Sequence, residues 1–136
     1  MIPLIFVIDD SLVVRKTLEF SLRQAAVEVI SFNDGVEALR WMTTPEARIP
    51  DLVFVDISMP KMNGYEVIRR FKSKPTFANT IFVMLTRRDG IIDSLKSRLV
   101  GATVHMTKPF KTQDILKVVS EQLHISVSSY SGSQKP

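Results

Sequence analysis

The sequence predicts an α/β fold, a parallel five-stranded sheet with helices on both of its faces. Short apolar segments alternate along the chain with segments whose apolar residues recur at helical spacing, and this alternation is typical of repeated βα units. Several of the apolar segments are unbroken runs, which suit strands that are covered on both sides. At 136 residues the chain is long enough to form one domain with a sizeable core.

The five predicted strands are short and mostly apolar. They cover residues 4–8, 27–32, 52–55, 81–85 and 102–107. The third strand lies between Pro50-Asp51 and Pro60, and its unbroken apolar run indicates a buried position. The second strand is indicated instead by alternating apolar and polar residues.

The predicted helices follow residues that favour turns or helix caps. We place them at residues 12–25, 35–42, 64–72, 90–99 and 112–124. Ser11 is a suitable N-cap for the first helix, and Asn33-Asp34-Gly35 marks the turn before the second. Pro45 and Pro75 follow the second and third helices, where proline ends a helical pattern.

Composition excludes several classes of protein. There is no cysteine, so disulfides and thiolate metal sites are excluded, and no apolar run approaches the roughly 20 residues of a membrane span. The formal net charge is +4, but Lys and Arg are scattered with no run longer than two. We therefore expect a solvated basic surface without a nucleic-acid interface, and no membrane partner.

The first and last residues suggest expectations about location and domain extent. The first residues lead into two aspartates and lack a basic lead, so we expect no signal peptide and a cytoplasmic location. The last residues are rich in serine and poor in apolar residues. We expect residues 1–124 to form the domain and residues 125–136 to be a disordered tail.

Polar residues with related chemistry end four of the five predicted strands. Asp9 and Asp10 follow the first strand, Asp56 the third, Thr86 the fourth and Lys108 the fifth. The carboxyl ends of parallel strands share one edge of the sheet, where ligands bind. If the first strand lies beside the third, three carboxylates meet there, and their repulsion calls for a cation. An all-oxygen cluster suits Mg²⁺, while a hydroxyl and an ammonium suit phosphoryl oxygens.

With these strand ends in place, the sequence resembles the receiver domain of bacterial response regulators over roughly residues 4–124. The resemblance is carried by Asp9-Asp10-Ser11, Asp56-Ile57-Ser58-Met59-Pro60-Lys61-Met62-Asn63-Gly64, Leu85-Thr86 and Thr107-Lys108-Pro109-Phe110, in that order. Within the family the chain looks most like the stand-alone chemotaxis (CheY-like) and pilus-motility (PilG-like) regulators. Arg88-Asp89-Gly90 and Gly101-Ala102-Thr103 favour the pilus group.

The resemblance implies a doubly wound fold with strand order 2-1-3-4-5, the order given for CheY among flavodoxin-like folds. It implies that Asp56 is the phosphoacceptor and takes a phosphoryl group from a phosphohistidine. It also implies that Asp10, Asp56 and the backbone carbonyl of Ser58 hold Mg²⁺, with Asp9 reaching the ion directly or through water.

The resemblance further implies that Thr86 and Lys108 bind phosphoryl oxygens and that the peptide before Pro109 is cis. The chain departs from the family at two positions. Arg87 stands where a small residue is usual, and His105 stands where the family's switch residue is usually Tyr or Phe. We expect the ring of His105 to pack like that aromatic ring; the alternative is that its charge makes switching sensitive to pH.

The implied function is a phosphorylation-activated response regulator that switches partner binding in motility, chemotaxis or phototaxis-type control. It is expected to catalyse its own phosphorylation and dephosphorylation and otherwise not to be an enzyme. Its expected partners are a sensor histidine kinase or phosphotransfer protein and a downstream protein effector. The effector, or a second copy in a homodimer, is expected on the face formed by the fourth helix, fifth strand and fifth helix.

Three alternatives remain open. The chain could be a receiver cut from a longer regulator. An Asp-nucleophile phosphatase of the haloacid-dehalogenase kind needs an Asp-x-Asp pattern after the first strand, but Asp9 and Asp10 are adjacent. A flavodoxin-like cofactor binder needs a Thr-, Ser- and Gly-rich phosphate loop there, whereas Asp9-Asp10-Ser11-Leu12-Val13 would repel phosphate without a metal.

Overall fold

The computed structural model describes residues 2–87, 100–102 and 104–127, and five parallel strands form its sheet. The strands are β1 (Leu4–Ile8), β2 (Glu28–Phe32), β3 (Leu52–Asp56), β4 (Ile81–Thr86) and β5 (Val104–Thr107). Their order across the sheet is β2-β1-β3-β4-β5, and each neighbouring pair is parallel. The predicted fold class and the strand order implied by the resemblance are both confirmed.

The described helices are α1 (Leu12–Leu22), α2 (Gly35–Trp41), α3 (Gly64–Lys72) and a C-terminal helix (Thr112–Leu123), with a 3₁₀ turn at Pro75–Phe77. Helix α1 ends at Leu22 and does not reach Ala25, because the chain tightens into a turn in which the Ala25 N–H donates to the Leu22 carbonyl. The predicted fourth helix lies outside the described residues. None of the described helices is long and apolar enough to cross a membrane.

Side-chain caps fix where the first three helices begin. The capping bonds run from Val14 N to Ser11 Oγ (3.3 Å), from Glu37 N to Asp34 Oδ1 (2.8 Å) and from Glu66 N to Asn63 Oδ1 (3.0 Å). Each bond satisfies an amide that has no partner inside its helix. The cap predicted at Ser11 is therefore confirmed, and it fixes the turn that carries Asp9 and Asp10.

The core consists of two apolar layers separated by the sheet. Helix α1 and the C-terminal helix cover one face, while α2 and α3 cover the other. On the second face the ring of Phe6 makes edge contacts with the rings of Phe32, Trp41 and Phe71. Burying a side chain of this size stabilises the fold by roughly 1.5–3 kcal/mol. Strands β1 and β3 are buried along their whole length, so both are held rigidly at the centre.

The packing of the chain continues a short distance past the C-terminal helix. His124 ends that helix in the left-handed conformation (φ 55°), Ile125 packs against the core and Val127 is buried. Apolar side chains therefore attach residues 125–127 to the body of the domain, although the sequence placed the tail from residue 125. Residues 128–136 lie outside the described part of the chain.

Helix α3 approaches the end of β3 so closely that its first residue has to be glycine. A Cβ atom on Gly64 would lie 2.7 Å from the backbone oxygen of Asp56 and 2.8 Å from the Cα atom of Ile57. Real Cβ atoms do not approach backbone this closely, so the backbone would have to move. The absent side chain of Gly64 therefore helps to determine where the carboxylate of Asp56 lies.

We expect Gly64→Ala to lower the free energy of unfolding by about 1–3 kcal/mol, as overpacking does in other cores. Urea denaturation would measure the loss. Gly35→Ala provides a matched comparison, because its added methyl would meet the side chain of Val67 instead of backbone. A second substitution, Val67→Ala, should remove part of the clash at Gly35. No side-chain trimming should relieve Gly64→Ala, and a stable Gly64→Ala variant would contradict the argument.

Candidate functional site

The sheet order brings the predicted strand-end residues to one edge. Strand β1 lies between β2 and β3, so Asp9 and Asp10, which follow β1, lie next to Asp56 at the end of β3. One carboxylate oxygen from each of these three residues lies within 4.8 Å of the other two. The condition set by the sequence, that the first strand lie beside the third, is met, and the predicted carboxylate cluster is present.

Asp9 is the most deeply buried of the three acids. It is wholly inaccessible to solvent, and its Oδ1 accepts a hydrogen bond from Ser11 N (2.9 Å). Its Oδ2 has no hydrogen-bond partner among the described residues, but it forms an ion pair with the ammonium of Lys108, which lies 2.9 Å away. The carboxylate therefore depends on Lys108 for charge compensation, because burying an unpaired charge is costly.

Lys108 joins the end of β5 to both buried acids. Its Nζ is 2.9 Å from Asp9 Oδ2 and 3.5 Å from Asp56 Oδ1, and its side chain is 17% exposed. The backbone N–H of Lys108 donates to the carbonyl of Thr86 (2.7 Å), which fixes the start of its side chain against β4. The Lys108–Pro109 peptide is cis, as the resemblance implied.

Asp56 lies at the base of the site, and its side chain is less exposed to solvent than its position at the end of a strand led us to expect. Its side chain is 5% exposed, and its Oδ1 accepts a hydrogen bond from Ser58 N (3.1 Å). Burial raises the pKa of Asp56 above its usual value, and the charges of Asp9 and Asp10 raise it further. The Ser58 N–H and the Lys108 ammonium lower the pKa but do not cancel the increase.

A cleft of about 400 Å³ connects the cluster to solvent. It is lined by Asp10, Ser11, Val14, Asp56, Ser58, Arg87 and Lys108. Asp10 and Arg87 both line this cleft and are exposed to solvent. The cleft is therefore bordered by four of the predicted site residues, Asp10, Asp56, Ser58 and Lys108. Asp9 does not line the cleft but is paired with Lys108, which does.

Two predicted residues stand apart from the cluster. Thr86 is buried, and its hydroxyl donates to the carbonyl of Arg87 (3.4 Å) and not to a carboxylate. His105 is exposed, and the expectation that its ring packs like the family's aromatic ring stays a prediction. It is paired in register with Met84, while Thr86 is paired with Thr107, so His105 and Thr86 share one face of the sheet.

The donor set fits a hard divalent cation. All three acids offer oxygen, the exposed Asp10 leaves the site open to water, and Asp9 Oδ2 has a lone pair that no hydrogen bond uses in the described residues. Mg²⁺ prefers oxygen ligands and keeps several waters, which agrees with a cleft that is open on one side. Thiolate and imidazole ligands are absent from the cluster, which argues against zinc or copper.

Arg15 belongs to the site and was not identified from the sequence. Its Nη1 donates to the backbone carbonyl of Asp9 (2.7 Å) and to Asn33 Oδ1 (3.2 Å). The contact joins a helix to two loops, so neither periodicity nor a local motif indicates it. The nearest signal is that Arg15 lies four residues after the cap Ser11, which places it one turn above the acidic pair.

Comparison with known proteins places the chain among relatives of similar architecture. Residues 5–120 match the family profile of the response regulator receiver domain. Protein PilG of Pseudomonas aeruginosa is 36% identical over 115 residues, which are 85% of this chain and 83% of PilG. The alkaline phosphatase synthesis transcriptional regulatory protein PhoP of Bacillus subtilis is 32% identical over 82% of this chain and 44% of its own length. The structure of the chemotaxis response regulator CheY4 of Vibrio cholerae matches with a TM-score of 0.80 and 29% identity, over 90% of this chain and 99% of CheY4.

The raised pKa of Asp56 leads to a prediction about stability. A carboxyl group whose pKa is higher in the folded state makes the protein less stable as the pH rises from its unfolded pKa, about 3.9, through its folded pKa. We therefore expect Asp56→Asn to be more stable than the wild type at pH 7 without metal, and the difference to shrink toward pH 4. Urea denaturation in EDTA across this range would measure it.

Asp34→Asn is the matched control for that series. Asp34 caps α2 through one oxygen, which asparagine also supplies, so this variant should show no comparable gain at neutral pH. A difference between Asp56→Asn and wild type that is constant across the pH range would contradict the assignment of strain to the ionised Asp56.

Proposed function

Because this chain belongs to the response regulator receiver family, we propose that Asp56 is its phosphoacceptor and takes a phosphoryl group from the phosphohistidine of a sensor kinase or phosphotransfer protein. The observation that carries the proposal is the position of Asp56, which lies at the base of a solvent-connected cleft beside two other acids and one ammonium. Phosphoryl transfer depends mainly on positioning and charge neutralisation, and this arrangement supplies both.

Family membership confirms the resemblance drawn from the sequence. The chain is a receiver domain of a two-component response regulator, close to chemotaxis and pilus-motility regulators. Receiver domains in such systems interact with histidine kinases and effectors. From the likeness to PilG we infer that the kinase and effector of this chain belong to a cytoplasmic, motility-type pathway.

In the proposed reaction the Asp56 carboxylate is the nucleophile. Its Oδ1 accepts the Ser58 N–H and lies nearer the ammonium of Lys108, so we assign the attack on phosphorus to Oδ2. An oxygen–phosphorus bond forms as the nitrogen–phosphorus bond of the phosphohistidine breaks, and the electron pair returns to the imidazole nitrogen of the donor. The chain thus contributes the acceptor and the electrostatic environment for its own phosphorylation.

Asp9, Asp10, Asp56 and the backbone carbonyl of Ser58 would hold Mg²⁺. When bound, Mg²⁺ supplies positive charge that offsets the acids and the phosphoryl oxygens. The ammonium of Lys108 lies 3.5 Å from Asp56 Oδ1, so it is positioned to bind a phosphoryl oxygen once Asp56 is phosphorylated. We infer that the chain also catalyses its own dephosphorylation, because the cleft gives water access to Asp56.

We propose that Thr86 and His105 transmit the effect of phosphorylation at Asp56 to the surface of the domain. The Thr86 hydroxyl now donates to its neighbour's carbonyl through a long bond of 3.4 Å, which a charged phosphoryl oxygen can outcompete. Movement of Thr86 toward the site would leave space for the exposed ring of His105, which shares its face of the sheet. A local charge change would thus bias a two-state element.

The proposed output surface includes β5 and the C-terminal helix. Lys111 and Lys117 are exposed there together with Asp114 and Glu121, so the described part of this face carries both signs of charge. A mixed face fits a protein partner or a second copy of the chain better than nucleic acid. The part of the face predicted on the fourth helix lies outside the described residues.

The most direct test of Asp56 is labelling with a small phosphoryl donor. Incubation with acetyl phosphate and Mg²⁺ should add one phosphoryl group, seen by intact-protein mass spectrometry, and EDTA should prevent the addition. Asp56→Asn should abolish the label because the amide is a poor nucleophile. Asp34→Asn, which keeps its helix cap, should be labelled like wild type. Equal labelling of Asp56→Asn would remove Asp56 from this role.

Arg87 should protect the phosphorylated state. Its exposed side chain lines the cleft beside Asp56, so it restricts the path of the attacking water. We expect Arg87→Ala to shorten the phosphorylated lifetime about fivefold, equivalent to roughly 1 kcal/mol in the hydrolysis barrier. Decay of ³²P-labelled protein would measure it. Arg48→Ala, at an exposed pair with Glu28 outside the cleft, is the control, and an unchanged or longer lifetime in Arg87→Ala would show that Arg87 does not shield the site.

A further inference from the structure

We propose that Arg15 is a positioning residue for the acidic cluster: it fixes the peptide between Asp9 and Asp10 and thereby holds both carboxylates where a divalent cation can bind them. This inference rests on the proposed function, since it concerns how the same site is assembled. It adds a residue from helix α1 whose guanidinium donates to a backbone carbonyl and to an amide oxygen, and which does not line the cleft.

The backbone of Asp9 is held on both sides of its side chain. Its N–H donates to the carbonyl of Phe32 (3.3 Å), and its carbonyl accepts from Arg15 Nη1 (2.7 Å). Both backbone groups of Asp9 are therefore hydrogen-bonded, and its carboxylate contacts Ser11 N and Lys108. The short charge-assisted bond from Arg15 is the stronger of the two backbone anchors.

The guanidinium of Arg15 is itself anchored. The same Nη1 donates to Asn33 Oδ1 (3.2 Å), and the N–H of Asn33 donates to Glu37 Oε1 in helix α2. The start of α1 is fixed in turn, because Arg15 N donates to the carbonyl of the cap Ser11 (3.0 Å). Arg15 is half-buried, and its rigid, planar guanidinium bridges the loops that follow β1 and β2 through these hydrogen bonds.

Fixing the carbonyl of Asp9 has a direct effect on Asp10. The carbonyl of Asp9 and the amide of Asp10 belong to one planar peptide, so rotating the first moves the second. Asp10 is exposed and has no described hydrogen bond of its own, which makes this peptide the main restraint on the direction of its carboxylate. Groups that orient metal ligands commonly alter metal affinity about 10–100-fold when removed.

A purely structural role for Arg15 makes a different prediction. If the arginine only stabilised the loop, its loss would lower the melting temperature and leave the affinity of the folded domain for Mg²⁺ unchanged. If it positions the acids, the affinity falls while the domain stays folded. Affinity and stability therefore have to be measured on the same samples.

The test compares wild type, Arg15→Gln, Arg15→Lys, Asp10→Asn and the surface control Arg48→Gln. Mg²⁺ is titrated into each ¹⁵N-labelled protein, the dissociation constant is taken from amide shifts, and circular dichroism reports folding. We expect Arg15→Gln to raise the dissociation constant about tenfold. The ¹⁵N shift of Asp10, whose nitrogen shares the peptide with the carbonyl that Arg15 binds, should change before any Mg²⁺ is added. Arg48→Gln should match wild type.

Arg15→Lys retains the charge and a donor nitrogen but loses the planar guanidinium, so it should recover part of the affinity and keep the proposal testable if Arg15→Gln does not fold. An unchanged dissociation constant in the folded Arg15 variants, or an Asp10 ¹⁵N shift that stays at the wild-type value, would overturn the proposal. Failure of the proposed metal site gives a separate result, because then Asp10→Asn would also bind Mg²⁺ as wild type does.

Discussion

The electrostatic balance of the acidic cluster is the constraint on which the rest of the structure depends. Asp9 and Asp56 are almost completely buried, Asp10 lies beside them, and Lys108 is the cation that contacts the two buried acids among the described residues. Three carboxylates at this separation repel one another, and burial strengthens the repulsion because little solvent screens it. The ionised cluster is electrostatically unfavourable without a further positive charge. Its electrostatic energy therefore changes strongly when a cation binds or a phosphoryl group is added.

The fold maintains this unfavourable arrangement by fixing each backbone that carries an acid. Strand β1 is central and buried, which prevents Asp9 from reaching water, and the close approach of Gly64 to the end of β3 fixes Asp56. Lys108 is held at its own backbone by Thr86 on the neighbouring strand. Asp56, the ammonium of Lys108 and the backbone of Thr86 are therefore connected through adjacent strands, and we propose that a change at Asp56 passes along these contacts to the proposed output face.

Much of this could be predicted from the sequence, because apolar runs mark buried strands and the residue that ends each run lies at a known edge of the sheet. That logic correctly placed Asp9, Asp10, Asp56 and Lys108 together. It did not anticipate how deeply Asp56 is buried, since burial depends on the helices packed around it, nor that His105 is exposed. Arg15 could not be predicted because its partners lie on two separate loops, and such contacts leave no periodic or local pattern in the chain.

The central claim is that Asp56 is a strained, buried carboxylate whose charge is accepted only with help from nearby cations. The most direct measurement is an NMR titration of the Asp56 side-chain ¹³C carboxyl signal in metal-free wild type, in Lys108→Met and in wild type with saturating Mg²⁺. The account predicts a pKa above the ordinary value of about 3.9 in metal-free protein, a higher pKa in Lys108→Met and a lower one with Mg²⁺. An ordinary or lowered pKa in the metal-free protein, unaffected by Lys108→Met, would contradict it.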